Sequence, residues 1–354
     1  MIPVNVITGF LGSGKTTLLR EVLRKPEFSD TAVIVNEFGE VGLDHILLEE
    51  VEEGVLLLES GCICCTIRSD LRDTIRDLQA RAASGAIPKF SRLVVETTGL
   101  ADPAPIASTL AADPIIRNHF RIGNIICTLD GMSGLATLAN HPEAEKQLAI
   151  ADRILLTKAD IADGSQIDRL RIHARSINPV AQLALSDGQW FDAGLLIEED
   201  LNDPETRAQE IQRWFKPDHD HHDHHDHSHH GHHDHSHDKV DGLNSFVVDY
   251  DTPIDWTVFG VWLTALLHSH GDRILRVKGI LNVRESETPV VLHGVQHVMH
   301  PPLHLDKWPG EDRGSHVIFI TRGISEQAIR HSLEVFLSAA ARATGEAGQV
   351  QAVV

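Results

Sequence analysis

The sequence predicts an α/β fold, with a mostly parallel β-sheet flanked by helices, followed by a small α+β domain. Apolar runs alternate with helical patterns across residues 1–215, and this alternation is typical of parallel strands joined by crossover helices. A histidine- and aspartate-rich stretch separates this part from a second set of strands and helices. We therefore predict a first domain at 1–215, a disordered linker at 216–241 and a C-terminal domain at 242–345.

The order of the elements follows from the apolar runs and the polar residues that bound them. After the first strand, PVNVIT, the predicted strands are TAVIVNE, GVLLLE, RLVVE, NIICTLD, RILLT and PVAQLAL, with helices near 68–84, 142–151 and 164–177. In the C-terminal domain the predicted strands are LNSFVVDY, DRILRVKGILNV, PVVLHGVQHV and HVIFITR. Asp255 and Ser325 are placed to cap the two helices of that domain.

Composition excludes several classes of protein. No apolar run approaches the ~18 to 20 residues that span a bilayer, and MIPVNVITGF lacks the features of a signal peptide. We therefore expect a cytoplasmic protein that binds no membrane. The net charge is −20, with 51 acidic and 31 basic residues, so we expect no nucleic-acid partner, because phosphate backbones require a basic surface.

A phosphate-binding loop follows the first strand. The segment GFLGSGKTT fits the pattern G-x-x-x-x-G-K-[ST], and the helical pattern LLREVLRK comes directly after it. Glycines let the backbone N–H groups face a phosphate, Lys15 can reach the β and γ oxygens, and Thr16 can bind Mg²⁺. The predicted nucleotide-binding residues here are Gly9, Gly12, Ser13, Gly14, Lys15, Thr16 and Thr17.

Two further segments complete the predicted nucleotide site. Glu96 ends the strand RLVVE and is expected near the Mg²⁺, as a catalytic residue with Lys15 and Thr16. Three residues later, the N–H of Gly99 could contact the γ-phosphate and sense its loss.

Base selection is predicted in the loop TKAD, which follows the strand RILLT. The carboxylate of Asp160 can accept hydrogen bonds from two guanine nitrogens, while the stem of Lys158 lies on the face of the base. Thr157 stands where the guanine-binding pattern N-K-x-D has Asn, so guanine preference is expected without that amide.

Three of the four cysteines lie in GCICC, at residues 61–65. Alternate residues of an extended segment point the same way, so Cys62 and Cys64 can share one ion while Cys65 faces elsewhere. A zinc ion would need further ligands, and Glu40, Glu37, a water or a histidine could supply them. A redox pair and inert packing cysteines remain alternatives, whereas Cys127 is expected to be a buried strand residue.

The linker carries a second metal-binding signal. Residues 217–238 contain twelve histidines and six aspartates without an apolar face, so we predict a disordered segment that binds divalent metals weakly at many sites. The four histidines at 293, 297, 300 and 304 have no metal-binding spacing and are expected to be surface or packing residues.

Taken together, these motifs resemble the CobW-like metallochaperone GTPases, a branch of the SIMIBI-type P-loop proteins. The resemblance covers GFLGSGKTT, VNEFGEVGLD, ESGCICCTIRSDL, VVETTGLADP, LLTKAD, ILRVKGIL and LHGVQHVMHPP. The Cys-x-Cys-Cys motif of the family corresponds to Cys62, Cys64 and Cys65, and Glu40 corresponds to a ligand within NEFGE. Some relatives carry a second Glu where this chain has Val35.

The resemblance implies GTP hydrolysis, with Mg²⁺ on the nucleotide, coupled to delivery of a transition metal to a metal-requiring client protein. Zinc is the expected metal. Cobalt for cobalamin or nitrile hydratase maturation is an alternative cargo, and passive metal storage by the histidine-rich segment is an alternative function. A homodimer is compatible with these expectations.

Overall fold

The computed structural model describes residues 1–35, 70–186, 192–197, 207–215 and 242–343, together with the backbone of 47–52, 55–58 and 63–66. The chain divides into two compact units, Met1–Arg207 and Ala208–Val354. The domain limits predicted from the sequence stay predictions, and the predicted linker at 216–241 lies outside the described residues.

Strands and helices lie close to the predicted apolar runs, and the described residues hold further ones that were not predicted. The strands are β1 Ile2–Thr8, β2 Thr31–Val35, β3 Leu47–Glu52, β4 Val55–Leu58, β5 Ile63–Thr66, β6 Arg92–Glu96, β7 Phe120–Asp130, β8 Arg153–Thr157, β9 Gln182–Leu185, β10 Leu243–Tyr250, β11 Ile274–Leu281, β12 Val290–Val295, β13 Val298–Met299, β14 Leu303–His304 and β15 Ser315–Arg322. The helices are α1 Lys15–Leu23, α2 Leu71–Ser84, α3 Ala104–Ala112, α4 Ile116–His119, α5 Gly134–Asn140, α6 Pro142–Ile150, α7 Gly164–Ile177, α8 Ala193–Ile197, α9 Arg207–Phe215, α10 Trp256–His270 and α11 Glu326–Ala343.

The first unit is built on one sheet of nine strands. Its strand order is β3-β4-β5-β2-β6-β1-β7-β8-β9, and every neighbouring pair from β5 to β9 is parallel, whereas β3 and β4 pair antiparallel. Apolar residues of α1 at positions 18, 19, 22 and 23 lie on one face of the helix and pack into the core. The prediction of a mostly parallel sheet with flanking helices is confirmed.

Parallel pairing brings the carboxyl ends of four central strands to one edge of the sheet. Thr8, Glu96, Asp130 and Thr157 are the last residues of β1, β6, β7 and β8. In open α/β sheets, this edge is where ligands bind. The candidate site described below lies there.

The second unit has an antiparallel sheet with strand order β10-β15-β11-β12-β13. The two long helices α10 and α11 contribute apolar residues to the core cluster with this sheet. Asp255 accepts a 2.9 Å hydrogen bond from the N–H of Val258, and Ser325 accepts one of 3.2 Å from the N–H of Ala328, so both predicted caps are confirmed. Among the described residues, none of the helices has the length and apolar character needed to cross a membrane.

Candidate functional site

Three glycines in the loop between β1 and α1 have a left-handed backbone. The φ angles are 135° at Gly9, 74° at Gly12 and 93° at Gly14, a region that residues with a side chain rarely adopt. Helix α1 begins at Lys15, directly after Gly14. The unpaired N–H groups of a helix start therefore adjoin the loop, an arrangement that binds phosphate.

The loop is packed tightly against the end of β7. A Cβ atom on Gly9 would lie 2.4 Å from the carbonyl oxygen of Thr128 and 2.8 Å from Oγ of Ser13. The hydroxyls of Ser13 and Thr128 share a 2.6 Å hydrogen bond, and that of Thr128 also donates to the carbonyl of Thr8. These contacts hold the loop against the end of β7.

Lys15 lies across this loop. Its side chain is buried, and Nζ donates hydrogen bonds of 2.9 Å to the carbonyl of Gly9 and 3.2 Å to that of Phe10. The ammonium is thus held beside the backbone of the loop that was predicted to bind phosphate. This position agrees with the role predicted for Lys15, which stays a prediction.

Thr16 and Glu96 meet at the centre of the site. Thr16 Oγ1 donates a 2.7 Å hydrogen bond to Glu96 Oε1, while Glu96 Oε2 is buried and has no hydrogen-bond partner among the described residues. Burial raises the pKa of the Glu96 carboxyl, and the hydrogen bond from Thr16 and the charge of Lys15 offset part of this rise. A hydroxyl beside an unpartnered carboxylate oxygen matches the hard oxygen ligands that Mg²⁺ prefers, so these residues fit a magnesium ion.

Gly99 lies against the phosphate-binding loop. A Cβ atom on Gly99 would be 2.5 Å from Leu11 Cδ2 and 2.7 Å from the backbone N of Leu11, so only glycine allows this approach. The N–H of Thr97 donates to the carbonyl of Ile7 at 2.9 Å, which holds the start of the same segment on β1. The structure therefore brings together the two loops that were predicted to surround the γ-phosphate.

A cavity of about 210 Å³ adjoins the start of α1. Its lining residues are Gly14, Thr17, Leu18, Glu21, Leu155, Thr157, Lys158, Asp160, Ile161 and Ser186. Lys158, with φ of 57°, donates from Nζ to the carbonyl of Gly12 at 3.0 Å and to Asp130 Oδ2 at 2.5 Å. The residues predicted to select the base thus share one cavity, next to the loop predicted to bind phosphate.

Asp130 is a site residue that the sequence reasoning missed. It ends β7, and its Oδ1 accepts hydrogen bonds from the N–H groups of Met132 and Ser133. Burial alone would raise the pKa of Asp130, but hydrogen bonds from Lys158 and these two N–H groups lower it below its usual value. Its place at the end of an apolar run, as for Glu96, was the signal that could have identified it.

The predicted metal site lies mostly outside the described residues, since Glu37, Glu40 and Cys62 belong there. Cys64 and Cys65 lie in β5, and their backbone pairs with Val33 and Ile34 of β2. Within the part of the chain that is described, no three histidine, cysteine or acidic side chains are grouped to hold a metal ion. Cys127 is buried in β7, as predicted, and burial raises the pKa of its thiol to about 12.

The C-terminal histidines make packing and hydrogen-bond contacts. His293 is buried and stacks on His300, with ring centroids 3.8 Å apart, and burial holds the pKa of His293 well below its usual value. His297 contacts the carbonyl of Leu267 and the carboxylate of Asp272. These contacts confirm the expectation of packing and surface roles for these three residues.

Comparison with known proteins assigns the family. The nucleotide-binding domain described as CobW/HypB/UreG matches residues 3–184, and the C-terminal domain described for the cobalamin synthesis protein CobW matches residues 243–337. The chain belongs to the CobW/HypB/UreG family. The family predicted from the motifs is thereby confirmed.

Relatives of this CobW/HypB/UreG family member match nearly its whole length. The zinc chaperone YjiA of Escherichia coli is 32% identical over 336 residues, which cover 93% of this chain and 96% of that protein. The zinc-regulated GTPase metalloprotein activator 1 of Saccharomyces cerevisiae is 26% identical over 380 residues, covering 94% and 82% of the two chains. The crystal structure of Zn(II)-bound YjiA GTPase from E. coli superposes with a TM-score of 0.73 and 29% identity, covering 95% and 98%.

Proposed function

We propose that this protein is a GTP-hydrolysing metallochaperone that binds zinc at Cys62, Cys64 and Cys65 and delivers it to a metal-requiring client protein. The nucleotide-binding geometry at Lys15 and Thr16 supports the first half of this proposal. The full-length relatives, named a zinc chaperone and a zinc-regulated GTPase, support the second half. We expect it to act in the cytoplasm, as a monomer or a homodimer.

The base cavity favours GTP as the nucleotide. The carboxylate of Asp160 can accept two hydrogen bonds from guanine, and the stem of Lys158 can lie on the base. The contacts of Lys158 with Gly12 and Asp130 hold its side chain beside the phosphate-binding loop. One arrangement of side chains therefore serves both the base and the phosphates.

The chain contributes to hydrolysis by placing charge. Lys15 would move from the carbonyls of Gly9 and Phe10 to the phosphate oxygens, where its charge offsets that of the reacting group. Thr16 and Glu96 would hold Mg²⁺, which when bound neutralises negative charge on the β- and γ-phosphates. The unpartnered Glu96 Oε2 makes this pair suited to a cation without rearrangement of the strand.

The register of the sheet is the observation that carries coupling between nucleotide and metal. Val35 of β2 pairs with Glu96 of β6 on one side and with Thr66 of β5 on the other. Adjacent strands lie about 4.8 Å apart, so the backbone of Thr66 is about 10 Å from that of Glu96. Cys65 precedes Thr66 directly, so the end of the strand that carries two of the proposed metal ligands lies at the same sheet edge as Glu96, which supports the proposed coupling.

The proposed cycle uses this proximity. GTP binding reorganises residues 36–65 and tightens the cysteine site for metal, and hydrolysis resets it. Linkage then requires that a metal preferring the GTP form tightens GTP binding by the same factor. The names of the relatives favour zinc over cobalt as the cargo.

Metal titration in two nucleotide states tests the proposal. Zn²⁺ and Co²⁺ are titrated into the full-length protein and into a variant lacking 217–238, with GDP or a non-hydrolysable GTP analogue, while Co²⁺–thiolate absorption is followed. We expect about tenfold or greater tightening with the GTP analogue, lost in Cys64→Ala.

Cys127→Ala provides the matched control, because its buried thiol, with a pKa of about 12, stays protonated. Equal metal affinity in both nucleotide states would overturn coupling at the cysteines. Metal-dependent behaviour that depends only on residues 217–238 would favour the storage function instead.

A further inference from the structure

Gln147 of α6 holds the segment that follows Glu96. The residue is 1% exposed, and its Nε2 donates hydrogen bonds of 3.2 Å to the carbonyl of Gly99 and 3.0 Å to that of Ala101. Both partners are acceptors, so the amide orientation follows from the contacts. Both N–H donors of the Gln147 amide therefore bind carbonyl groups of one loop.

The other end of the same amide has no such partner. Gln147 Oε1 is buried and accepts no hydrogen bond from the described residues. Leaving a buried acceptor unsatisfied is unfavourable, and such groups are rare enough to need an explanation. The two hydrogen bonds from Nε2 to the loop explain the position of Oε1. They favour this orientation of the amide, although it leaves Oε1 without a donor among the described residues.

Neighbouring residues of α6 contact the same region. Lys146 Nζ lies 2.6 Å from Asp102 Oδ2, and Asp102 Oδ1 accepts a 3.0 Å hydrogen bond from the N–H of Ala104 at the start of α3. At the start of α6, His141 stacks on Phe10 of the phosphate-binding loop, with ring centroids 4.3 Å apart. Helix α6 thus contacts both loops that were predicted to surround the γ-phosphate.

Gly99 is the pivot of this arrangement. Its carbonyl belongs to the peptide held by Gln147, while its N–H belongs to the preceding peptide, and a Cβ atom on Gly99 would meet Leu11 at 2.5 Å. Fixing the carbonyl side limits how the N–H side can turn. A loop that is already ordered binds its ligand more tightly than one that the ligand must order.

We infer that Gln147 is a positioning residue that sets the loop at 97–102 for the γ-phosphate, and so determines how strongly the protein prefers GTP to GDP. This inference rests on the proposed GTPase function. GDP lacks the γ-phosphate and gains nothing from the ordered loop, whereas GTP would have to order the loop itself if Gln147 were replaced.

The test compares two replacements of Gln147 in the full-length protein. Gln147→Met keeps the length of the side chain but removes both donors, and Gln147→Glu keeps its shape but presents an acceptor to two carbonyl groups. We expect the affinity for a non-hydrolysable GTP analogue to fall about tenfold in Gln147→Met and further in Gln147→Glu, with GDP affinity changed less than about twofold.

Asn178 offers a matched control. It is fully buried, and its Nδ2 donates to the carbonyls of Leu148, Ala149 and Ala151 at the far end of α6, away from the nucleotide loops. Asn178→Leu should lower the melting temperature while leaving the ratio of GTP-analogue to GDP affinity unchanged. A purely structural role for Gln147 predicts the same behaviour for its own variants.

Lys146→Met keeps the inference testable if the Gln147 variants do not fold, because Lys146 is partly exposed. It removes the ion pair with Asp102, and we expect a selective loss of about threefold for the GTP analogue. If the affinities for GDP and the GTP analogue fell equally, or did not fall, the inference about Gln147 would be overturned while the proposed function would stand. Failure of the unmodified protein to bind GTP would instead overturn the proposed function.

Discussion

The hydroxyl of Thr157 donates a 2.8 Å hydrogen bond to the carbonyl of Ser13, and so ties the end of β8 to the phosphate-binding loop. Thr157 occupies the position where the guanine-binding pattern has Asn. The same hydroxyl also lies 3.4 Å from the carbonyl of Leu129, at the end of β7. The base and phosphate regions are therefore joined through this side chain.

Removing the hydroxyl should weaken both regions. We expect Thr157→Val to lower GDP and GTP affinity about five- to tenfold and the free energy of unfolding by about 1 to 2 kcal/mol, because the buried carbonyl of Ser13 loses a donor. Nucleotide titration and urea unfolding measure the two effects. Thr157→Ser keeps the donor, and an equal loss in that variant would contradict the explanation.

Replacement of Gly9 should greatly weaken nucleotide binding. A Cβ atom at this position meets the Thr128 carbonyl at 2.4 Å and would displace the loop, so we expect Gly9→Ala to lose about a hundredfold or more in affinity. Gly12→Ala is the matched control, since Gly12 also has positive φ but a Cβ atom there would meet no other atom within 4 Å. The nucleotide affinity of Gly12→Ala should fall by no more than about tenfold, because only backbone strain acts in that variant. Similar losses in both variants would contradict a steric cause.

Glu96 should make the nucleotide-free protein less stable as pH rises. Its folded-state pKa lies above the ordinary value of 4.5, so the folded protein binds more protons than the unfolded chain between these two values, and stability falls as pH rises through that window. We expect Glu96→Gln to remove this fall in stability. At pH values above the folded-state pKa of Glu96, its melting temperature should be about 2 to 4 °C higher than that of the unmodified protein. If the melting temperatures of Glu96→Gln and of the unmodified protein changed with pH in the same way from pH 4 to pH 8, the prediction would be contradicted.

His316 should give the second unit a pH dependence of its own. Its ring lies between Asp249, at 2.7 Å, and Asp312, at 3.1 Å. Burial lowers the pKa of His316, but the two carboxylates raise it by more than burial lowers it, so the pKa lies above its usual value of 6.5. The stabilisation is complete below pH 6.5 and is lost as pH rises through the folded-state pKa. His316→Asn should therefore lower the free energy of unfolding more at pH 6 than at pH 9. The two losses should differ by at most about 1 kcal/mol, because both aspartates are exposed.

Tryptophan fluorescence during urea unfolding measures this effect, since four of the five tryptophans, at 214, 256, 262 and 308, lie in the second unit. Asp249→Asn should reproduce part of the change. An equal cost of His316→Asn at both pH values would show that the ring acts only through packing.

The phosphate-binding loop and Glu96 were predictable because their signals are local. Glycines at fixed spacing after a strand, and an acid at the end of an apolar run, identify the loop and the strand end without knowledge of the fold. The sheet edge then follows from parallel pairing. Asp130 carried the same signal as Glu96, yet its importance depends on Lys158, which follows the next strand.

Gln147 and helix α3 were not predictable in the same way. Gln147 acts through carbonyl groups more than forty residues away in sequence, and no local pattern distinguishes it from a surface glutamine. Helix α3 begins within ADPAP, which is typical of a turn, but proline is tolerated in the first turn of a helix. Strand β7 also begins earlier than predicted, at Phe120, with a register irregularity against β1.

Strand β5 has hydrogen-bonded neighbours on both sides, β2 and β4. Sliding such a strand would break two ladders at once, and a one-residue shift would turn every side chain to the opposite face. The backbone beneath Cys64 and Cys65 is consequently a fixed anchor, whose amides should exchange hydrogen slowly in every nucleotide state. The proposed reorganisation of residues 36–65 would then move the ligands that precede this strand, while the backbone of Cys64 and Cys65 stays in place.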